Sequence, residues 1–289
     1  MVAEEMAPPA AKTGSDLKIR VLSAIVLAPV ALGATWAGGW FFAVLLAAAA
    51  LIMALELTRL LYAVPDAGRI GTREAIGPGL AALVAIALAT AGLPAGALAA
   101  GGAVLGFALA GRSWSGRSLF PALVAYPYLV LPLVALIWLR NDPEWGLEVV
   151  LWLLVTVWAI DICAYFAGRF IGGPKLAPRI SPKKTWAGLV GGMAGAATVG
   201  VVTSLWIGMG SPVLLALVGI GMTVVEQAGD FLESALKRRA GVKDSGTLIP
   251  GHGGILDRVD GLVTVAVGAA LLALLHNAVH PGAGVLIWP

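Results

Sequence analysis

Acidic residues in stretches that otherwise belong in hydrocarbon are the first sign of chemistry in this 289-residue chain. Glu226, Asp230, Glu233 and Ser234 fall at i, i+4, i+7 and i+8 of an apolar run, so a helix there carries them on one face. Three carboxylates in a medium that penalises charge repel one another unless cations neutralise them. Mg2+, alone or with a second cation, fits such a set, being a hard ion that takes carboxylate oxygens and substrate phosphates. The plainer account is that these acids only line a wet cavity. Asp161, Tyr165 and Arg169, spaced by four, share a second helical face, for which the plainer account is an ion pair between helices. Asp257, Arg258 and Asp260 add two more acids at the head of a further apolar run.

Basic and glycine-rich loops separate these acids. Ser181-Pro182-Lys183-Lys184-Thr185 precedes one apolar run, and alone it would pass as an ordinary cytoplasmic loop. Residues 237–257 contain Lys237, Arg238, Arg239 and Lys243, then Gly251, Gly253 and Gly254 around His252. Glycines of this kind let backbone N–H groups approach an anion. His252 alone could be a solvated loop histidine. Carboxylates for a divalent metal, with Lys, Arg and Gly-rich backbone for phosphates, form the inventory of nucleotidyl or phosphoryl transfer, where positioning and charge neutralisation dominate. No Walker A, GxGxxG or HExxH motif occurs.

The elements that must position these residues are membrane helices. The chain is 59% hydrophobic and 12% charged, with a mean hydropathy of +0.92, whereas a soluble domain keeps roughly 25% charged residues. The sequence predicts an all-α, polytopic integral membrane helical bundle of about nine spans, near 18–37, 40–62, 76–92, 94–111, 119–139, 148–171, 186–208, 212–236 and 258–280. Lys18 and Arg20 precede the first span, which reads as a span rather than a secretory leader because a second follows at once from Trp40. Of the 19 Lys and Arg, only Arg140 falls on the side opposite the rest. That asymmetry predicts a cytoplasmic N-terminus, cytoplasmic loops 172–185 and 237–257, and Pro289 on the far side. No strand pattern is expected. Glu56, near Arg59 at a span end, reads as a snorkelling pair. The glycines at 188, 191, 192, 195, 219 and 221 read as close helix packing, and the single Cys163 as a small packed residue, with disulfide and Cys-based metal chemistry excluded.

The predicted organisation is a disordered cytoplasmic tail (1–17), N-terminal membrane helices forming a lipid-facing scaffold (18–147), catalytic membrane helices with cytoplasmic loops (148–280) and a C-terminal tail (281–289). The net charge of +3 does not indicate nucleic acid, because the basic residues sit in loops between spans.

The motifs resemble those of the phosphatidate cytidylyltransferases, or CDP-diacylglycerol synthases. The resemblance rests on Ser234 through Lys237-Arg238, Lys243-Asp244, Pro250-Gly251-His252-Gly253-Gly254 and Asp257-Arg258-Val259-Asp260, with further matches at Gln227–Ser234, Asp161–Arg169 and Ser181–Thr185. It covers about residues 150–262. One departure follows Trp186, where the family usually shows Glu-Gly and this chain has Ala187-Gly188; the role of that glutamate falls elsewhere, with Glu226 the candidate.

The resemblance implies the reaction of CTP with phosphatidate to give CDP-diacylglycerol and pyrophosphate, with Mg2+, in the inner membrane of a bacterium and with the site on the cytoplasmic face. Partners are then CTP, phosphatidate and membrane lipids, with a homodimer as an open state. Catalytic roles are expected for Asp161, Asp230, Lys237, Arg238, His252 and Asp257, and substrate contacts for Arg169, Lys183, Lys184, Ser234, Gly253, Gly254 and Arg258. Asp230 and Asp257 are expected as direct metal ligands, with Asp161, Glu233 and Asp260 as ligands or supporting groups. Arg169, Lys183 and Lys184 are expected nearer CTP, and Lys237, Arg238 and His252 nearer the lipid phosphate. Two other readings are a CTP-dependent kinase of a polyprenol or phytol, which the long signature disfavours, and a proton- or cation-coupled transporter, for which no repeat is visible.

Overall fold

A computed structural model describes residues 15–62, 71–93, 120–246 and 253–289. Its elements are α1 (Ser15–Ala37), α2 (Gly39–Tyr62), α3 (Gly71–Thr90), α4 (Phe120–Arg140), α5 (Gly146–Phe170), β1 (Lys175–Ala177), β2 (Ser181–Thr185), α6 (Trp186–Ile207), α7 (Pro212–Arg239), α8 (Leu256–His276) and α9 (Pro281–Leu286). The expected N-terminal tail and the expected fourth span lie largely or wholly outside the described residues.

Among the described residues, five helices are long and apolar enough to cross a membrane: Gly39–Leu61, Gly146–Phe170, Trp186–Ile207, Pro212–Arg239 and Leu256–His276. Shorter apolar helices run Ile25–Ala37, Ile76–Thr90 and Pro127–Arg140. Large apolar side chains remain exposed along them, with Trp36, Trp40 and Phe41 near one end and Phe170, Ile171 and Trp186 near the other. Amphipathic aromatics favour the two membrane–water boundaries. The chain is an integral membrane protein built of helices.

Close packing of α5, α6 and α7 follows from their small residues. A Cβ on Gly195 would lie 2.8 Å from Cys163 Sγ and 2.9 Å from Ala159 O, and one on Gly188 would lie 3.0 Å from Ala164 O. On α7, a Cβ at Gly219 would lie 2.6 Å from Ala196 O. Side chains would hold these backbones apart, so the glycines at 188, 191, 192, 195 and 219 pack helices as expected, whereas Gly221 is exposed and a Cβ there would meet nothing within 4 Å. Local signals set the helix ends. Thr185 Oγ1 accepts from Gly188 N at 3.1 Å to cap α6, and Gly208, at φ 72, closes it. Ser211 caps α7 ahead of Pro212.

Two expectations are corrected. Residues 175–185, expected to be a plain loop, form an antiparallel hairpin pairing Lys175 with Thr185 and Ala177 with Ser181. Residues 281–289 are not a free tail. Their helix α9 is largely buried, Gly282 N donates to Asp142 Oδ2 at 2.9 Å, and Trp288 stacks on His276 with centroids 4.1 Å apart.

The hydrogen bonds sort the helix ends onto two sides. On one side, Arg140 donates to Thr35 O at 2.7 Å and Trp36 O at 3.0 Å, satisfying carbonyls at the end of α1. Asn141 reaches Ala89 O at the end of α3, and Ser211 N donates to Trp288 O at 2.7 Å. The other side gathers the ends of α2, α5 and α7 and the starts of α6 and α8. The acid-bearing segments meet there.

Candidate active site

Helical periodicity places Glu226, Asp230, Glu233, Ser234 and Lys237 along one face of α7. Glu226 and Glu233 are buried, the latter with no exposed surface. A buried carboxylate must be paired or hydrogen-bonded to be tolerated, and Lys237, one turn on, donates to Glu233 Oε2 at 2.6 Å and to Asp257 Oδ1 at 2.8 Å. Ser234 Oγ donates to Asp230 Oδ1 at 3.1 Å. The hairpin delivers Lys184 into an ion pair with Asp230, with its Nζ 5.3 Å from the centre of the Phe231 ring.

Asp257 lies in the first turn of α8. Its Oδ2 accepts from Ser245 N and Ser245 Oγ at 2.8 Å each and from Gly254 N at 2.9 Å. Gly253 adopts φ +83 just ahead of this turn, a conformation that suits glycine. One turn on, Asp260 Oδ1 accepts from Gly261 N at 2.9 Å.

Asp230, Glu233 and Asp260 come together, with one carboxylate oxygen of each within 4.8 Å of the others. Glu233 Oε1 is buried and finds no hydrogen-bond partner among the described residues. An all-oxygen donor set with an orphaned buried oxygen fits a hard divalent cation. Asp161 and Asp257, expected among the ligand acids, do not join that trio: Asp257 is held by Lys237, Ser245 and Gly254, and Asp161 lines the neighbouring cleft.

That cleft, of about 320 Å³, lies between α5, the hairpin and α7, and Asp161, Arg169, Lys183, Lys184 and Glu226 all face it. Arg169 Nη1 donates to Tyr165 Oη at 3.3 Å. Glu226 shares the cleft with Thr185 and Gly188, beside the position where Ala187 departs from the family pattern. Arg238 is turned away, donating to Val242 O at 3.4 Å in the loop after α7. Arg258 is exposed in the first turn of α8. His252 lies outside the described residues. The arrangement thus offers an acidic trio that could hold a cation, with a cleft alongside that carries Arg169, Lys183 and Lys184 together with Asp161 and Glu226.

The sequence profile of the Cytidylyltransferase family matches residues 18–276, nearly the whole chain. The chain belongs to that family. Its relatives include the phosphatidate cytidylyltransferase of Brucella melitensis, 41% identical over 277 residues, 92% of this chain and 94% of the relative. That of Pseudomonas aeruginosa is 36% identical over 272 residues, covering 89% and 97%. That of Bacillus subtilis is 42% identical over 128 residues, covering 44% and 48%. As a cytidylyltransferase the chain is a nucleotide-transferring enzyme. The motif resemblance covered only about residues 150–262, whereas the family match extends through the first helices.

One residue left out by sequence reasoning lies behind the site, against the head of α8. Glu56 of α2 is buried, and its carboxylate accepts from Ile255 N at 3.1 Å and Leu256 N at 2.8 Å. It does not snorkel to water. The available signal was a lone acid inside an apolar helix.

Proposed function

We propose that this chain is a phosphatidate cytidylyltransferase that joins CTP and phosphatidate into CDP-diacylglycerol and pyrophosphate. The observation that carries the reading is the trio Asp230, Glu233 and Asp260 beside a cleft bearing Lys183, Lys184 and Arg169. A phosphate oxygen of phosphatidate attacks the α-phosphorus of CTP. The new P–O bond links lipid phosphate to CMP, the bond from the α-phosphorus to the bridging oxygen breaks, and pyrophosphate leaves with the electron pair. The nucleophile is already anionic, so no strong general base is needed. The obstacle is repulsion between two anions, which positioned cationic side chains offset.

In this reading Asp230, Glu233 and Asp260 hold Mg2+, which when bound supplies charge neutralisation to the phosphates. Lys183, Lys184 and Arg169 bind the CTP phosphates, and Lys184, paired with Asp230, stands at the boundary between cleft and trio. Lys237 keeps Glu233 and Asp257 in register. Arg238, His252, Gly253, Gly254 and Arg258 serve the lipid phosphate at the membrane surface, with Ser234 supporting Asp230. Asp161 and Glu226 complete the acidic wall of the cleft. Asp257 would enter a metal shell, including one for a second cation, only by exchanging some of its present donors.

The nine-span topology belongs to the same proposal. α3 and α4 both end on the Arg140 side, and the apolar stretch 94–111, expected to cross once more, falls between them in sequence. Residues 18–147 then act mainly as scaffold and 148–280 as the catalytic part. The site faces the cytoplasm in the inner membrane of a bacterium, where CTP is dissolved and phosphatidate is embedded.

Purified protein incubated with phosphatidate, Mg2+ and either α- or γ-labelled CTP tests the reading. Cytidylyl transfer puts the α label, and none of the γ label, into lipid. Lipid carrying the γ label would instead indicate a CTP-dependent kinase.

A further inference from the structure

We infer that Glu56 is a positioning residue for the transfer site, a carboxylate from the N-terminal half that fixes the head of α8 against the loop following α7. Glu56 is 3% exposed within an apolar helix, a costly place for a carboxylate unless its oxygens are used. They are used on one target. Oε1 accepts from Ile255 N at 3.1 Å, and Oε2 accepts from Leu256 N at 2.8 Å. Ser245 Oγ lies 3.4 Å from Oε2, but its shorter 2.8 Å contact to Asp257 takes the hydroxyl proton.

The first amides of a helix have no partner within the helix and are ordinarily satisfied by the residue just before it. At α8 that residue is Ile255, which provides no side-chain cap. Glu56, about two hundred positions earlier in the chain, supplies the acceptors, and a carboxylate there also suits the positive end of the helix dipole.

The fit is tight on both flanks of the loop. A Cβ on Gly246 would lie 2.5 Å from Glu56 Oε1, and one on Gly254 would lie 2.6 Å from each Glu56 oxygen. Only residues without a side chain at 246 and 254 leave room for this carboxylate.

What Glu56 holds is the turn that carries Asp257 and Asp260. Asp257 grips Lys237 at 2.8 Å, and Lys237 grips Glu233 at 2.6 Å. A shift of the head of α8 therefore moves Asp260 directly and Glu233 through Asp257 and Lys237, two of the three acids of the trio. Glu56 touches none of the reacting groups; it acts through α8.

The test uses the full chain in detergent and two readouts, Mn2+ binding followed by electron paramagnetic resonance without nucleotide, and steady-state kinetics. The kinetic arm rests on the proposed activity. The binding arm does not, so an inactive wild-type protein would sink that activity and still leave Glu56 to be judged by Mn2+. Glu56→Gln keeps the shape but turns an N–H2 group toward one of the two backbone donors. It should weaken Mn2+ binding about tenfold or more, the scale for groups that orient metal-binding side chains, and lower kcat with less than about a threefold change in the CTP KM. Gly246→Ala, whose new methyl would meet the Glu56 carboxylate first, should reproduce the effect, and it decides the matter on the same readouts if Glu56→Gln does not fold. Leu57→Ala, a buried neighbour in α2, should lower Tm while leaving Mn2+ binding within about twofold. The inference is overturned if folded Glu56→Gln, or Gly246→Ala in its place, binds Mn2+ within about twofold of wild type, or if Leu57→Ala weakens it as much.

Discussion

Lys237 follows Glu233 by one helical turn and donates to its Oε2 at 2.6 Å, while Oε1 of the same buried carboxylate has no hydrogen-bond partner among the described residues. A fully buried acid with one oxygen paired and the other bare is an arrangement that a structural ion pair alone does not require. It suits a group that shares its charge between a fixed ammonium and a divalent cation.

Removing Lys237 should therefore be severe. Lys237→Met leaves Glu233 and Asp257 as buried acids without their common partner. Breaking a buried pair from one side costs about 3–5 kcal/mol, so a clear drop in Tm in detergent and loss of turnover are both expected. A variant as stable and active as wild type would remove Lys237 from the account.

The basic groups should divide by substrate. Lys184→Ala should lower kcat/KM for CTP by roughly 30- to 1000-fold, equivalent to about 2–4 kcal/mol of transition-state stabilisation. Arg238→Ala should act on phosphatidate instead, because Arg238 points to Val242 in the loop and not into the cleft. Initial rates with each substrate varied in turn separate the two, and impairment of CTP use alone by Arg238→Ala would reverse the assignment.

Packing of α5 on α6 rests on absent side chains. Gly195→Val inserts a branched side chain where even a Cβ alone would lie 2.8 Å from Cys163 Sγ. Overpacking of this kind typically costs about 1–3 kcal/mol, to be read as a lowered unfolding temperature in detergent, and an unchanged temperature would mean the helices are not held this closely.

Topology gives a prediction independent of catalysis. A reporter active only in the cytoplasm should be silent when fused after Pro289 and active when fused at the N-terminus or inserted in the loop after Arg239. An active C-terminal fusion would require an even number of crossings.

Sequence reading reached the parts of the site that local periodicity controls. Glu226, Asp230, Glu233 and Ser234 share a face because a helix repeats every 3.6 residues, and hydropathy alone marks such a stretch as a span. The hairpin at 175–185 was not legible, because two short strands with Pro182 among five residues carry no alternating pattern. Nor was the detachment of Asp257 from the trio, which depends on how Ser245 and Gly254 fold around its carboxylate. Glu56 was least accessible, since its two shortest contacts, to Ile255 and Leu256, are with backbone N–H groups, which no side-chain pattern betrays.

The most direct measurement is turnover of Asp230→Asn across a Mg2+ titration, followed as lipid-linked CMP from α-labelled CTP. Asp230 joins the acidic trio and meets Lys184 and Ser234. The neutral amide keeps its size while losing the charge that holds a cation. The account predicts a protein that remains folded in detergent and makes no lipid-linked CMP above background at any Mg2+ concentration. Near-normal turnover with an unchanged Mg2+ dependence would contradict it.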